Sequence, residues 1–124
     1  MENYLQVLEE SLYKKLDVLD RIEKLGIRQE QILNTIPVSE DDFDSSIEEK
    51  GRLIDELGKL DEGFESLYAH IKEQLVAGKS KYRTQIAILQ EKIAEVTEKS
   101  IAIQAQEARN KKLAEIFLLM QNKN

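Results

Sequence analysis

Apolar residues recur at alternating steps of three and four along most of the chain, a spacing that places them on one face of a helix. The first such stripe runs through Leu5, Leu8, Leu12, Leu19, Ile22, Leu33 and Ile36. Leu16 and Leu25 widen it to the breadth that helices of a globular bundle require. Gly26 and Gln29 interrupt it at two positions where the pattern calls for apolar residues. The stripe predicts a helix over residues 2–34.

The only proline of the chain predicts the boundary between the first helix and the second. The residue before a proline disfavours helical geometry, and Pro37 itself has no amide hydrogen to donate. Ser39 then has the position of an N-cap, followed by three acidic residues that suit the positive end of a helix dipole. The second stripe contains Phe43, Ile47, Ile54, Leu57, Phe64, Tyr68, Ile71 and Leu75. We expect a helix over residues 40–77, ended by Gly78 in a left-handed cap.

A third stripe follows and predicts a helix over residues 80–120, with Ser80 as its N-cap. Its members are Tyr82, Ile86, Leu89, Ile93, Val96 and Ile103. The pattern then fails in the polar stretch 104–112 and returns in the apolar segment 113–120. Two interpretations of the polar stretch stay open. Either the bundle ends there and the helix continues in solvent, or a hinge separates a detachable end.

Long helices joined by short loops favour antiparallel neighbours. We therefore predict an all-α fold in which residues 1–124 form a single domain. Its architecture is an elongated antiparallel three-helix bundle, with coiled-coil-like hairpins and a long C-terminal helix. A charged fraction of 34% and the absence of tryptophan are typical of such helices. In the competing arrangement the third helix projects and pairs with another molecule.

Composition and charge exclude several classes of partner. The net charge of −6 opposes binding to nucleic acid, where neutralisation of phosphates supplies most of the affinity. No apolar run is long enough to span a bilayer, and the first residues lack the basic region of a signal peptide, so we expect a cytoplasmic protein without membrane insertion. Acidic residues dominate before Gly78 and basic ones after it. The two parts either attract each other or form two separate solvated faces.

Few residues of the chain have the types and spacings that are typical of catalytic or metal-binding sites. Cysteine is absent, which removes thiol nucleophiles and thiolate ligands. His70 is the only histidine and has no second histidine at helical spacing to form a metal pair, so a structural role is expected. Neighbouring acids such as Asp61 and Glu62 would need a concave, dry site to act as acid and base. We expect no enzymatic activity, no cofactor and no metal site.

The segment 113–120 is the strongest candidate for a binding site. Its five consecutive apolar residues, 116–120, cover more of the helix circumference than one stripe requires. Either they dock in the core against the first helix, or they form an exposed helix that seeks a partner's groove or a second copy of the chain. Aromatic and methionine side chains are typical anchors of such contacts. The candidate partner-binding residues are Ile103, Asn110, Leu113, Ile116, Phe117 and Met120.

Three segments carry a family resemblance: residues 3–12, the sequence Asp61-Glu62-Gly63-Phe64, and residues 98–110 with their run of Gln, Ala and Asn. They resemble the FlgN-type flagellar export chaperones. The resemblance implies a cytosolic helical chaperone that binds hook-filament junction proteins (hook-associated proteins) and keeps them unassembled before type III export. It places substrate binding at about residues 100–120 and implies no catalytic residue or cofactor. The alternatives are a structural coiled-coil tether or adaptor, and a chaperone for another flagellar axial protein, the filament cap or flagellin.

Overall fold

Three long helices make up nearly all of residues 1–122, the part of the chain that the computed structural model describes. They are α1 (Glu2–Asn34), α2 (Glu40–Ala77) and α3 (Arg83–Asn122). The described residues contain no strand, and the fold is an all-α three-helix bundle, as predicted. The first two helices have the bounds that the apolar stripes predict, whereas the third begins three residues later than expected and ends two residues later.

Helix α1 lies at the centre of the bundle and packs against both of the others. Lys15 meets Asp61 and Gln29 meets Ser46, so α2 runs antiparallel to α1. Lys99 meets Asp20 and Asn110 meets Gly26, so α3 runs parallel to α1. Within the described residues, no Cα of α2 comes within 8 Å of a Cα of α3. The backbones of α2 and α3 are therefore held apart, although their side chains share one core.

The apolar core has two parts, both built on the stripe of α1. The larger cluster consists of Leu5, Leu8, Leu12, Leu19, Ile71, Leu75, Tyr82, Leu89 and Val96. The smaller one consists of Val18, Ile22, Leu25 and Leu53. Each fully buried aliphatic side chain contributes about 1.5–3 kcal/mol relative to exposure, so this stripe is the main source of stability. No helix in the described residues combines the length and apolar character needed to cross a membrane.

The start of α2 follows the predicted capping pattern. Ser39 has extended backbone geometry, and its Oγ accepts a hydrogen bond from the backbone N–H of Asp42 at 3.3 Å. Three acidic residues follow it in the first turn, next to the unpaired N–H groups that carry the positive end of the helix dipole. The N-cap assigned to Ser39 is therefore confirmed.

The loop between α2 and α3 differs from the prediction. Gly78 has φ −97° and ψ 23°, so the predicted left-handed cap is wrong. A glycine fits here for another reason: a Cβ at this position would stand 2.8 Å from Cε2 of Tyr82. The predicted N-cap at Ser80 is also wrong, because α3 begins at Arg83 and Ile86 N–H donates to Tyr82 O at 2.9 Å. Residues 78–82 form a turn that places the Tyr82 ring in the core, and α3 begins at the next residue, Arg83.

Charges on α1 and α3 attract each other where the two helices lie side by side. Lys99 Nζ is 3.1 Å from Asp20 Oδ1 and 3.3 Å from Glu23 Oε1. Hydrogen bonds from Lys24 and then from Lys99 hold the pKa of the Asp20 carboxyl below its ordinary value. The hydrogen bond to Asp20 is likewise the main reason that the pKa of Lys99 is raised. At this point the basic last part of the chain pairs with the acidic first part, the first of the two interpretations above.

Candidate partner-binding site

Four polar side chains are buried at the level where the apolar stripes of α1 and α3 are interrupted. They are Gln29 (2% exposed), Ser46 (3%), Gln106 (6%) and Asn110 (5%), and we call them the polar layer. Buried polar groups are costly unless they are hydrogen-bonded, so their partners decide whether the layer stabilises or weakens the bundle.

The half of the polar layer between α1 and α3 is closely bonded. Asn110 Nδ2 donates to the backbone carbonyl of Gly26 at 2.8 Å. Gln106 Nε2 donates to Asn110 Oδ1 at 3.0 Å and to Glu30 Oε2 at 2.9 Å. Gln106 Oε1 accepts from Arg109 Nη2 at 2.8 Å. Both amides of α3 are therefore satisfied, one of them by the backbone of α1 itself.

The other half of the layer links all three helices. Gln29 Nε2 donates to Ser46 Oγ at 2.9 Å, and Ser46 Oγ donates to Phe43 O at 2.6 Å. Lys50 Nζ donates to Gln29 Oε1 at 2.6 Å and forms an ion pair with Glu107 Oε2 at 2.8 Å. The second carboxylate oxygen of Glu107 is buried without a hydrogen-bond partner among the described residues. This ion pair bridges α2 and α3 where their backbones stay apart.

The polar layer corrects the interpretation of the polar stretch 104–112. The bundle does not end there, because Gln106 and Asn110 are buried against α1. The predicted hinge is not supported either, since α3 is unbroken through the stretch and is bonded to α1 within it. Gln and Asn replace apolar residues on α3 at the level where Gly26 and Gln29 replace them on α1.

The six predicted partner-binding residues divide into a covered group and an exposed group on α3. Ile103 packs against both apolar clusters, and Asn110 belongs to the polar layer. Leu113 and Phe117 follow Asn110 at helical spacing and are half-buried. We call this side the inner face. Ile116 lies on the exposed side of α3, which we call the outer face. Met120 is also exposed, but it follows Leu113 by seven residues and therefore continues the line of the inner face past its covered part.

Sequence reasoning singled out the end of the outer face, in the segment 113–120, but missed the part that lies upstream of it. In the last turns, Ile116 is 54% exposed, Leu118 55%, and Leu119 and Met120 63% each. The outer face continues upstream along α3 as a stripe of exposed residues. We call it the outer stripe: Ile101, Ala105, Ala108, Lys112, Ile116 and Leu119. Their steps of three and four were available in the sequence, but the apolar residues of the inner face concealed this second pattern on another side of the same helix.

A side-chain hydrogen bond links the end of α3 to the start of α2. Gln121 Nε2 donates a hydrogen bond to Glu40 Oε1 at the start of α2. Leu113 and Phe117, upstream of this bond, are partly buried, whereas Leu118 and Leu119 are exposed. The sequence left open whether segment 113–120 is docked or exposed, and the structure shows one docked face and one exposed face.

His70 is exposed on α2 and packs edge-on against the ring of Tyr4, with ring centroids 5.6 Å apart. Among residues 1–122, no group of three or more His, Cys, Asp or Glu side chains has an arrangement that could hold a metal ion.

Comparison with known proteins adds no relative: the chain matches no family model, no curated protein and no solved structure. The fold and the site define a class of protein on physical grounds alone. It is a three-helix bundle whose last helix is apolar on two sides, one packed in the bundle and one without a partner in the described residues.

Proposed function

We propose that this chain is a cytosolic chaperone of flagellar type III export, which binds hook-associated proteins through the end of α3 and keeps them unassembled. The identity of the cargo rests on the resemblance to the FlgN-type chaperones. The binding role rests on the outer face of α3. The proposal assigns the chain no catalytic step.

The observation that carries the proposal is the exposure of large apolar side chains on the last turns of α3. Ile116, Leu118, Leu119 and Met120 are each more than half exposed. These side chains surround the last turns of α3, and large exposed apolar side chains grouped in this way normally mark an interaction site. Asn110 is bonded to the α1 backbone before these turns and Gln121 to Glu40 after them, so the exposed residues are presented on a supported helix.

A rigid apolar helix face suits an unfolded cargo. A segment that is disordered until assembly can become helical on such a surface, and the apolar area buried then offsets the entropy lost on ordering. While bound, the segment cannot pair with its assembly partners. The bundle would supply the ordered half of the complex and the cargo the half that folds.

The test is co-purification of hook-associated proteins from a flagellated cell, using the wild type and the double variant Ile116→Asp/Met120→Asp. We expect the double variant to fold, because both side chains are exposed, and to lose the cargo. The matched control is Val76→Asp, the same kind of change at a side chain 66% exposed near the end of α2. Circular dichroism checks the helical content of each variant. Retention of cargo by the folded double variant would refute the proposal.

A structural tether or adaptor is the second candidate, favoured by one observation. The outer stripe begins at Ile101, which is 62% exposed and lies far upstream of the last turns. A stripe of that length could pair with another helix as a permanent coiled coil. Light scattering separates the two: a stable tetramer or filament without cargo supports the tether, whereas a monomer that captures cargo supports the chaperone.

A further inference from the structure

Two glycines of α2 have no explanation within the bundle. Gly51 and Gly58 lie seven residues apart in the interior of the helix, where glycine is among the least favourable residues. A Cβ at either position would meet nothing within 4 Å. In contrast to Gly26, neither is needed for a close contact inside the chain. The two glycines leave a low surface that another helix can approach closely.

Large apolar side chains alternate with these glycines. Ile47, Gly51, Ile54 and Gly58 follow one another at steps of four, three and four, so they share one side of α2, which we call the glycine face. Ile47 is 49% exposed and Ile54 is 51% exposed. Helix α1 packs on another side of α2, through Leu53, and no Cα of α3 comes within 8 Å of α2 among the described residues. The glycine face is therefore apolar and uncovered.

The charged residues around the glycine face are acidic. At about 100° per residue, all those within about 60° of its centre between positions 40 and 65 are carboxylates. They are Glu40, Asp44, Asp61, Glu62 and Glu65. Asp61 is paired with Lys15, whereas the others are exposed and form no ion pair among residues 1–122.

The basic residues nearby do not neutralise this side of α2. Lys50 borders the glycine face, but its ammonium is already paired with Glu107. Lys111 of α3 follows Glu107 by one turn and forms no ion pair among residues 1–122. The other bases of α2 are Arg52 and Lys59, more than about 100° from the centre of the face, and Lys72, two turns after Glu65. The apolar part of the face is therefore flanked by negative charge in excess.

The shape of the glycine face alone would suit a second copy of the chain. In an antiparallel pair, Ile47 would stand opposite Gly58 and Ile54 opposite Gly51, so that each large side chain meets the space above a glycine. The same spacing suits any helix that carries large apolar residues seven positions apart. The charges decide between these two kinds of partner.

The charges oppose a second copy. In the antiparallel register that fits by shape, Glu40 would face Glu65 and Asp44 would face Glu62, and each contact would occur twice. A parallel pair would place each carboxylate against its own copy. The exposed side of α3 in a second copy is no better a match, because Lys112 lies there beside Glu115. Like charges in close contact across an interface cost affinity, so a partner with basic flanks fits best.

We propose that the glycine face of α2 binds an amphipathic helix of another protein, with large apolar residues seven positions apart and Lys or Arg on both flanks. The large residues fill the space above Gly51 and Gly58, and the basic flanks meet the carboxylates. This surface goes beyond the proposed function and does not depend on it, because that function is assigned to the end of α3.

The test uses two labelled synthetic peptides of about 18 residues, which as helices span the distance from Asp44 to Glu62. Both carry leucines at the same seven-residue spacing, and they differ only on the flanks: lysines in one, glutamates in the other. Fluorescence anisotropy with the full chain measures each dissociation constant. We expect the basic peptide to bind about tenfold more tightly than the acidic one, and this ratio to shrink as salt rises.

Filling the space above the glycines separates specific docking from general attraction between charges. Gly51→Leu/Gly58→Leu leaves the charge unchanged and should keep the helical content in circular dichroism, because a Cβ at either position meets nothing. It should weaken binding of the basic peptide about tenfold. The matched control is Gly63→Leu, the same change on another side of α2, where a Cβ also meets nothing. This control should bind as the wild type does.

Charge reversal assigns the selectivity to the carboxylates. Asp44→Lys/Glu62→Lys should reduce the preference for the basic peptide at least threefold, an effect that salt removes. The matched control is Glu91→Lys/Glu98→Lys, which changes the total charge equally at exposed positions of α3. It should leave the ratio of the two dissociation constants nearly unchanged.

Three outcomes would overturn the proposal: no binding of the basic peptide, equal binding by the wild type and Gly51→Leu/Gly58→Leu, or a stable homodimer of the free chain that this double variant dissociates. The last outcome would make a second copy the occupant. Ile116→Asp/Met120→Asp distinguishes this surface from the cargo site. If that variant loses hook-associated proteins but still binds the basic peptide, the two surfaces are separate. If it loses the peptide, the peptide binds α3 and the present proposal is wrong.

Discussion

Gly26 and Gln106 touch across the interface between α1 and α3. A Cβ at position 26 would stand 3.0 Å from Cγ of Gln106, tighter than nearly all contacts of real Cβ atoms. Gln106 has little freedom to move away, because its amide is bonded to Glu30, Asn110 and Arg109. The absence of a side chain at position 26 is therefore what lets the polar layer close.

Replacing Gly26 by alanine should destabilise the protein, although alanine is the better helix former. The gain in helix propensity is up to about 1 kcal/mol, but displacement of Gln106 strains at least one buried hydrogen bond, a loss of about 1–3 kcal/mol. Gly51→Ala is the matched control: it lies within α2, and a Cβ there meets nothing within 4 Å. Urea unfolding should show Gly51→Ala more stable than the wild type and Gly26→Ala less stable. Stabilisation by both would contradict the tight contact.

Removal of the Lys50 ammonium should weaken the bundle more than removal of both members of its ion pair. Lys50→Met leaves Glu107 without a cation and removes a donor from Gln29, which should lower the free energy of unfolding by about 1–2 kcal/mol. Lys50→Met/Glu107→Met removes the stranded carboxylate as well and should recover most of this loss. Denaturant midpoints of the two single variants and the double variant measure the coupling. Additive losses would show that the pair does not act as a unit.

The stability contributed by Asp20 should depend on pH in the acid range. Since its folded-state pKa lies below the unfolded value, the contribution is complete above the unfolded pKa of about 3.9 and is lost as the pH falls through the folded pKa. Asp20→Asn should melt below the wild type at pH 6, and the two melting temperatures should converge as the pH falls below the folded-state pKa of Asp20. A difference that stays constant over this range would exclude the ion pairs with Lys24 and Lys99 as its cause.

Two leucines near the end of α3 should respond differently to the same substitution. Leu113 is half-buried on the inner face, whereas Leu119 is exposed on the outer face. Leu113→Ala should lower the free energy of unfolding by about 1–2 kcal/mol, and Leu119→Ala should change it by less than about 0.5 kcal/mol. Urea unfolding of the isolated chain makes the comparison. Equal losses would mean that the two faces are not distinct in the free protein.

The features that the sequence predicted well depend on residues close together along the chain. The break at Pro37 and the cap at Ser39 act within a few residues, and both ends of this loop fall where expected. The start of α3 was missed because it depends on where the Tyr82 ring packs, a contact with distant core residues. Local propensity at Gly78 and Ser80 could not show that contact.

The polar layer also depends on contacts between residues that are distant in sequence, so it was not predicted. The sequence nevertheless shows an interruption of the apolar stripe in two places. Gly26 and Gln29 interrupt one stripe, and the stretch containing Gln106 and Asn110 interrupts another. Considered alone, each interruption indicates only that the helix is less stable at that position. Only the pairing of α1 with α3, across more than 70 positions of sequence, shows that the two interruptions complement each other. The outer face could be predicted only from the same pairing of α1 with α3, because its exposure depends on which side of α3 the bundle covers.

The polar layer also fixes how far α3 can slide along α1. Apolar stripes with a seven-residue repeat match again after a shift of one heptad, so they permit slippage. Such a slip would bring Asn110 opposite Leu19 or Leu33 in place of Gly26. Its amide would then lack a partner, at a penalty of about 1–3 kcal/mol, and the leucine would take the space that the glycine leaves open. A partner that pulls on the end of α3 would therefore meet a helix locked in a single register.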